Sequence, residues 1–282
     1  MSVNNKAIYV IDMKIFIIAL LVSTNTLLSG QQISGTVLEM NSDVLVEYVN
    51  IGIIGKNVGT VADHNGNYTL KVSHEHYDDT LKFSCIGYHS YSVKVSDFLK
   101  KNNGNVSLEK RDYGLSEIVI RPKNTRQRTL GFTGRGKVTV ACFADSVRGA
   151  EVGVIMKNKN RSFIKEVNIN FLICSYDTIF FRLNIYKVLG DMQFENILKD
   201  PVYIVSTKKE AKNKLSVDLR HLNLVVDGDF LVTFEHVKDL GYGKLCFRAG
   251  FINKSYLRET SQGTWETIPV SISISAVVDS ER

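Results

Sequence analysis

Proline is nearly absent from this chain, with three in 282 residues, and tryptophan occurs once, at Trp265. So few prolines exclude a Pro-rich, low-complexity spacer. The four cysteines, Cys85, Cys142, Cys174 and Cys246, stand far apart without a C-x-x-C pair or a neighbouring Cys/His pattern, which argues against a structural zinc site. None of the six histidines has a glutamate three residues away, so the His/Glu ligand spacing of zinc carboxypeptidases is missing. The chain also lacks a G-x-S-x-G nucleophile elbow, a P-loop and a dinucleotide fingerprint. No segment of 20 to 50 residues repeats. The longest N-terminal apolar run, residues 15–22, is too short to span a bilayer as a helix.

That run has the setting of a targeting signal. Met13 and Lys14 open a short positive region ahead of it, and residues 23–30 form a small, polar tail suited to signal peptidase. Residues 1–30 are therefore expected to be leader and signal peptide, with residues 1–12 an extra lead. The competing reading is an uncleaved anchor, which the shortness of the run disfavours. No cysteine follows the run to accept a lipid. The expected mature protein begins near Gln31, is exported, and has no transmembrane segment after signal cleavage.

Charge is uneven. Residues 121–137 carry six Lys/Arg (Arg121, Lys123, Arg126, Arg128, Arg135 and Lys137) and no acid, which equals the formal net charge of +6 of the whole chain. Mixed with Gly131, Gly134 and Gly136, they read as a basic, flexible linker between two domains, 31–120 and 138–282. Anionic lipid or nucleic acid could meet such a stretch. No folded basic surface supports that reading, and export leaves no nucleic-acid partner to expect.

Within residues 31–120 the alternation is that of strands. Val49, Ile51 and Ile53 alternate with Asn50 and Gly52, and Tyr68, Leu70 and Val72 with Thr69 and Lys71. Between them, Asn65-Gly66 suits the two positive-φ positions of a type I′ hairpin. An opening strand at residues 33–37 and a later one at 81–88 frame the pair. The motifs Ile33-x-Gly35-x-Val37, Val49-Asn50-Ile51, Gly59-Thr60-Val61, Asp63-x-x-Gly66-x-Tyr68 and Phe83 to Tyr88, with a closing segment at 115–120, resemble the carboxypeptidase D regulatory-like family. The resemblance covers about 90 residues, roughly a third of the chain. It implies a seven-stranded, transthyretin-like β-sandwich, as found at the N-terminus of TonB-dependent receptors, and a place in the Gram-negative cell envelope, in the periplasm or at the outer-membrane surface. Val46-Glu47-Tyr48 departs from the pattern, because many relatives carry a proline there.

The second domain also reads as β. Val167, Ile169, Phe171 and Ile173 share one strand face, and Ile179, Phe181, Leu183 and Ile185 another, against the polar Arg182 and Asn184. Further runs at 138–143, 152–156, 202–205, 215–219, 230–234, 245–251 and 270–278 suffice for two packed sheets, a jelly-roll or Greek-key β-sandwich. Residues 184–198 read as a long connection. In an oxidising compartment Cys142, Cys174 or Cys246 could form one bridge, although their apolar strand settings read first as small buried side chains.

The fold class is thus all-β, and no catalytic residue, cofactor or metal is expected. His74-Glu75-His76 reads as a loop before the next strand rather than a metal site. The Asp63 turn has its glycine at the wrong position for a calcium loop. Asp227 and Asp229 flank Gly228 as a turn. The expected function is a non-catalytic envelope binding or assembly module with a protein partner. The alternative is a glycan as partner, a carbohydrate-binding sandwich in which Trp265, Tyr256, Tyr242 and Arg258 form the site. Phe247 and Phe251 lie in the same stretch, and all these rings could instead fill the core.

Overall fold

The computed structural model describes residues 30–101, 103–113, 121, 123–134, 141–144, 148–211 and 214–282. The expected signal segment, the closing segment 115–120 and residues 135–140 lie outside the described residues. The first unit holds β1 (Gln31–Glu39), β2 (Asn50–Ile53), β3 (Gly59–Val61), β4 (Asn67–Val72), β5 (Thr80–Ser84), β6 (Tyr91–Lys94), the helical turn α1 (Val95–Leu99) and β7 (Val106–Leu108). These make two sheets, β4-β1-β7 and β3-β2-β5-β6, antiparallel except for the β1·β7 pair. The predicted alternation fills the space between them. Tyr68, Leu70 and Val72 face Ile51, Ile53, Leu81 and Phe83, and Phe98 of α1 closes the layer 5.5 Å from the Phe83 ring. Each such apolar side chain contributes about 1.5–3 kcal/mol on burial.

Three local expectations change. The Asp63–Asn67 turn is not a type I′ hairpin, because β3 and β4 belong to different sheets and the turn is a corner between them. Of its residues only Gly66 is left-handed (φ 70°). Asp63 Oδ1 accepts from the N–H groups of Asn65 (2.8 Å) and Asn67 (2.9 Å), an Asx-type cap that needs one left-handed residue rather than two. The strand expected over 81–88 stops at Ser84, beyond which Gly87 (φ 89°) turns the chain. Tyr48 sits at φ 50°, a backbone that proline cannot adopt, which accounts for the departure at that position. Residues His74–His76 form a 3₁₀ turn, and His76 Nδ1 lies 2.9 Å from Asp79.

The second unit holds β8 (Thr125–Gly131), β9 (Cys142–Ala144), β10 (Glu151–Met156), β11 (Ser162–Cys174), β12 (Thr178–Gly190), β13 (Gln193–Asn196), β14 (Val202–Thr207) and the turn α2 (Lys208–Ala211). It continues with β15 (Lys214–Asp218), β16 (Val225–Val226), β17 (Phe230–Glu235), β18 (Lys244–Phe247), β19 (Ala249–Gly250), β20 (Ser255–Arg258), β21 (Glu266–Ile268), β22 (Ser271–Ile272) and β23 (Ile274–Glu281). One sheet runs β13-β12-β17-β10-β20-β21 with β14 also on β12. The other runs β8-β23-β11-β18-β9 with β15 and β16 also on β11. The chain crosses repeatedly from sheet to sheet, as jelly-roll and Greek-key sandwiches do. Phe171, Phe181, Phe234 and Phe247 fill the centre, with Phe181 and Phe234 stacked at 4.4 Å.

Here too the structure corrects the reading. Residues 125–131 of the expected flexible linker are an edge strand, β8, laddered along the whole of β23 with Arg126 and Arg128 left exposed. Backbone pairing, together with the burial of Leu130 alone among its side chains, orders this basic segment. The expected connection at 184–198 is a hairpin of β12 and β13, turned through Met192 (φ 53°). Cys142 and Cys246, opposite each other on β9 and β18, are disulfide-bonded, whereas Cys85 and Cys174 are free.

A further departure concerns the strand faces that look polar. Asn50 and Gly52 on β2, and Arg182 and Asn184 on β12, have the pattern of solvent-facing positions. All four are buried, because the outer face of the β3-β2-β5-β6 sheet docks against the outer face of the β12-β17-β10-β20 sheet.

Candidate functional site

The seam between the two units is built on small residues. Gly52 and Gly59 lie so close to the Ser261 carbonyl that a Cβ on either would stand 2.3 Å from it. The 259–264 loop, turned at Gln262 (φ 62°), reaches across through hydrogen bonds. Gly55 N–H donates to Gln262 O (2.9 Å), Gln262 Nε2 to Ser84 Oγ (2.8 Å), Thr264 Oγ1 to Gly55 O (2.9 Å) and Asn57 Nδ2 to Glu259 (3.1 Å). Beside them the Tyr48 ring packs on Phe180 (5.1 Å) and Tyr203 (5.3 Å).

Next to this seam lies a buried ion network. Arg182, 1% exposed, donates from Nε to Glu235 (2.9 Å), from Nη1 to the Tyr48 carbonyl (2.8 Å) and from Nη2 to Asn50 Oδ1 (2.7 Å). Arg258 holds Glu151 through Nε (2.7 Å) and Nη2 (2.6 Å). Asn184 Nδ2 bridges the two carboxylates at 2.9 Å and 2.7 Å, and Tyr186 and Thr233 hydroxyls also donate to Glu151. Two cations and two anions balance, the condition under which charges survive burial.

The electrostatics follow from that pairing. Burial alone would raise the Glu235 carboxyl, but Arg182 and Arg258 outweigh it and hold it below its ordinary range. Burial alone would depress both guanidiniums, and Glu235 for Arg182 and Glu151 for Arg258 raise them instead. Burial, then Glu151, pushes the Tyr186 phenol well up. Chemically, Glu235 is a carboxylate locked in ion pairs, not a proton donor poised for general acid work.

Beyond the network the seam opens into a cleft of about 710 Å³ lined by both units. Its floor is the uncovered part of the first unit's sheet, with Lys82 and Ser84 of β5, and Arg111, which comes after β7 and donates its backbone N–H to the Gly87 carbonyl (2.8 Å). Its wall carries Tyr186, Phe194, Arg258 and Trp265. Trp265 is half-buried, set edge-on to Tyr186 (6.0 Å) and Phe194 (5.2 Å), with the Arg258 guanidinium 5.0 Å from its ring centre.

Of the four residues singled out from the sequence, three come together here. Trp265 and Arg258 line the cleft, and Tyr256, 7% exposed, packs beneath them against Phe194. Tyr242 does not join them: it is fully exposed on the loop before β18, away from the cleft. Phe247 belongs to the core, and Phe251 is exposed elsewhere. Sequence reasoning missed Lys82, Asn50, Arg182, Glu151 and Glu235. A signal existed in β17, Phe230-Leu231-Val232-Thr233-Phe234-Glu235, which is apolar on both faces except at two positions. Such a strand is covered on both sides, so its polar residues need partners. Among the described residues there is no cluster of three or more His, Cys, Asp or Glu that could hold a metal.

Residues 33–120 match the family model of the CarboxypepD_reg-like domain, so the first unit is a domain of that kind. Over 149 residues the chain is 27% identical to TonB-dependent receptor P3 of Formosa agariphila, across 53% of this chain and only 13% of that receptor. Solved structures with some likeness include the cysteine protease and lectin-like domains of Cwp84, a surface layer associated protein of Clostridium difficile (TM-score 0.37, 9% identity, covering 91% of this chain and 60% of that one). Another is the VP2 subviral particle of infectious bursal disease virus (TM-score 0.20, 12% identity, 90% and 65%). Among the described residues no helix is long and apolar enough to cross a membrane.

Proposed function

We propose that this chain is a non-catalytic binding or assembly module of the cell envelope, exported by its N-terminal signal. The regulatory-like domain and the similarity to a TonB-dependent receptor fit an envelope binding module. The observation that carries the reading is the docking of the two sandwiches through a buried, charge-balanced network. A fixed two-domain body of this kind presents a surface made by both units, whereas a flexible tether would not. Edge strands such as β8 and β21 offer backbone to a partner strand. In-cell crosslinking of the full chain, followed by purification from envelope fractions, is expected to recover one specific envelope protein. Recovery of none sinks the assembly reading.

The second reading, carbohydrate binding, is favoured by one observation: Trp265 and Arg258, with Tyr256 packed beneath them, meet at a two-domain cleft whose volume lies within the range of about 300–1,000 Å³ usual for ligand sites. A glycan array probed with the mature chain tests it. Binding retained by the parent and lost in Trp265→Ala supports carbohydrate recognition. No binding to any glycan removes it.

A further inference from the structure

The cleft between the two sandwiches holds positive charge that its own acids do not balance. Arg182 and Arg258 are neutralised by Glu235 and Glu151. Lys82 and Arg111, on the floor, have no carboxylate within ion-pair distance among the described residues, and Glu195 is the one acid in the lining. Lys82 pairs across the sheet with Gly52 and Ser92, so it stands on the outer face that the second unit overhangs. Burial, followed by the charges of Arg258 and Arg111, holds its ammonium below the usual lysine range. A half-covered cation beside like charges is unfavourable until an anion arrives.

The opposite wall supplies a second recognition element, the half-buried ring of Trp265, set among Tyr186 and Phe194. Cations beside an aromatic ring suit a ligand with both an acid group and an apolar ring face. Of the strands of floor and wall, β2, β5 and β12 are each paired on both sides, which leaves an extended peptide only the four-residue edge strand β13, a route that the poly-glutamate arm below tests. We infer that this cleft binds acidic saccharides, with a carboxylate or sulfate between Lys82 and Arg111 and the sugar ring against Trp265. The inference rests on the carbohydrate reading above and narrows it to a ligand class and to a site made by both domains.

Trp265 is the single tryptophan, so its emission reports on the cleft directly. The full mature chain is titrated with short oligogalacturonides, sulfated galactan oligosaccharides, neutral malto-oligosaccharides and poly-glutamate, at low and high salt. A saturable change in Trp265 emission is expected with at least one acidic saccharide. It should weaken about tenfold or more in Lys82→Gln and, separately, in Arg111→Gln, and weaken with salt. A response to uronate or to sulfate alone identifies the acid group, and either supports the inference. No response to any acidic saccharide, an equal response to neutral ones, binding unchanged in both variants, or a response to poly-glutamate alone overturns it. Arg111 is exposed, so that variant and the salt series decide the matter should Lys82→Gln not fold. Neutral-glycan binding on the array with a silent cleft ends this inference and leaves the carbohydrate reading standing. A recovered envelope partner likewise leaves the assembly reading standing.

Discussion

Arg182 on β12 donates from Nη2 to Oδ1 of Asn50 on β2 at 2.7 Å, across 132 positions of sequence. The same guanidinium holds Glu235 of its own sheet and the Tyr48 carbonyl of the other domain. One side chain therefore joins the charge balance of the second domain to the position of the first.

Replacing Arg182 by methionine removes three donors and leaves Glu235 buried without its closest cation. The expected loss is about 3–5 kcal/mol in urea unfolding, the range for breaking one side of a buried ion pair. Arg182→Lys should recover little, since an ammonium cannot match three acceptors spaced for a planar fork. Arg182→Met combined with Glu235→Leu should recover much of the loss. A single-variant loss below about 1 kcal/mol would show that the network does not hold the domains.

Gly52 and Gly59 make the seam sensitive to a single methyl group. Gly52→Ala places a Cβ 2.3 Å from the Ser261 carbonyl, backbone against backbone, so the 259–264 loop must move. A loss of about 1–3 kcal/mol is expected, with faster proteolysis in that loop. Gly228→Ser is the control, because nothing lies within 4 Å of its Cβ, and its cost comes only from φ 82°. Equal protease resistance of Gly52→Ala and parent would mean that the two sheets are not held face to face.

The cysteines separate into two chemistries. Reducing the Cys142–Cys246 bridge, which closes a separation of 104 residues, should cost about 2–5 kcal/mol, and the Cys142→Ser/Cys246→Ser double variant should match it. Burial pushes the Cys85 thiol up to about 11, so it should react slowly with a thiol reagent at neutral pH in the folded protein. Rapid labelling of Cys85, which lines the cleft between the units, before unfolding would contradict the raised thiol.

Much of the fold was legible because inner strand faces obey a period of two. Tyr68, Leu70 and Val72, or Ile179, Phe181, Leu183 and Ile185, name their side of the core from spacing alone. The outer faces were not legible. Asn50 beside Ile51, or Arg182 beside Phe181, has the same local pattern whether the polar side meets water or a second sheet. The difference is made by partners more than a hundred residues away. β8 was hidden for a related reason: its basic side chains stay in solvent, and the ladder with β23 that orders it leaves no mark in composition. Trp265, Tyr256 and Arg258 were found because aromatic and cationic residues cluster in sequence. Lys82, which completes the cleft from the other domain, has no neighbour that announces it.

The pH dependence of stability can be worked out from the same groups. Glu235 titrates below its ordinary value in the folded state, so its contribution is complete above the unfolded carboxyl value of about 4.3 and is lost as pH falls through the lower folded value. Cys85 and Tyr186 are displaced the other way. Burial, largest in both, raises Cys85 to about 11 and Tyr186 well above the tyrosine range. Their contributions are complete below their unfolded values and are lost as pH rises toward the folded ones. Lys82 opposes this alkaline loss, because its folded value is lowered and its burial penalty is relieved as it deprotonates. Urea unfolding across pH should show a plateau from about pH 5 to about pH 9, an acid limb below about pH 4, and an alkaline limb that begins near the cysteine value. Because burial also raises the Cys174 thiol, Cys85→Ala combined with Cys174→Ala should delay the start of the alkaline limb toward the tyrosine value, and Lys82→Gln should raise the plateau and steepen that limb. An acid limb that starts above about pH 6 and disappears in Glu235→Gln would mean that Glu235 takes up its proton easily, and the Arg182 pairing would then be wrong.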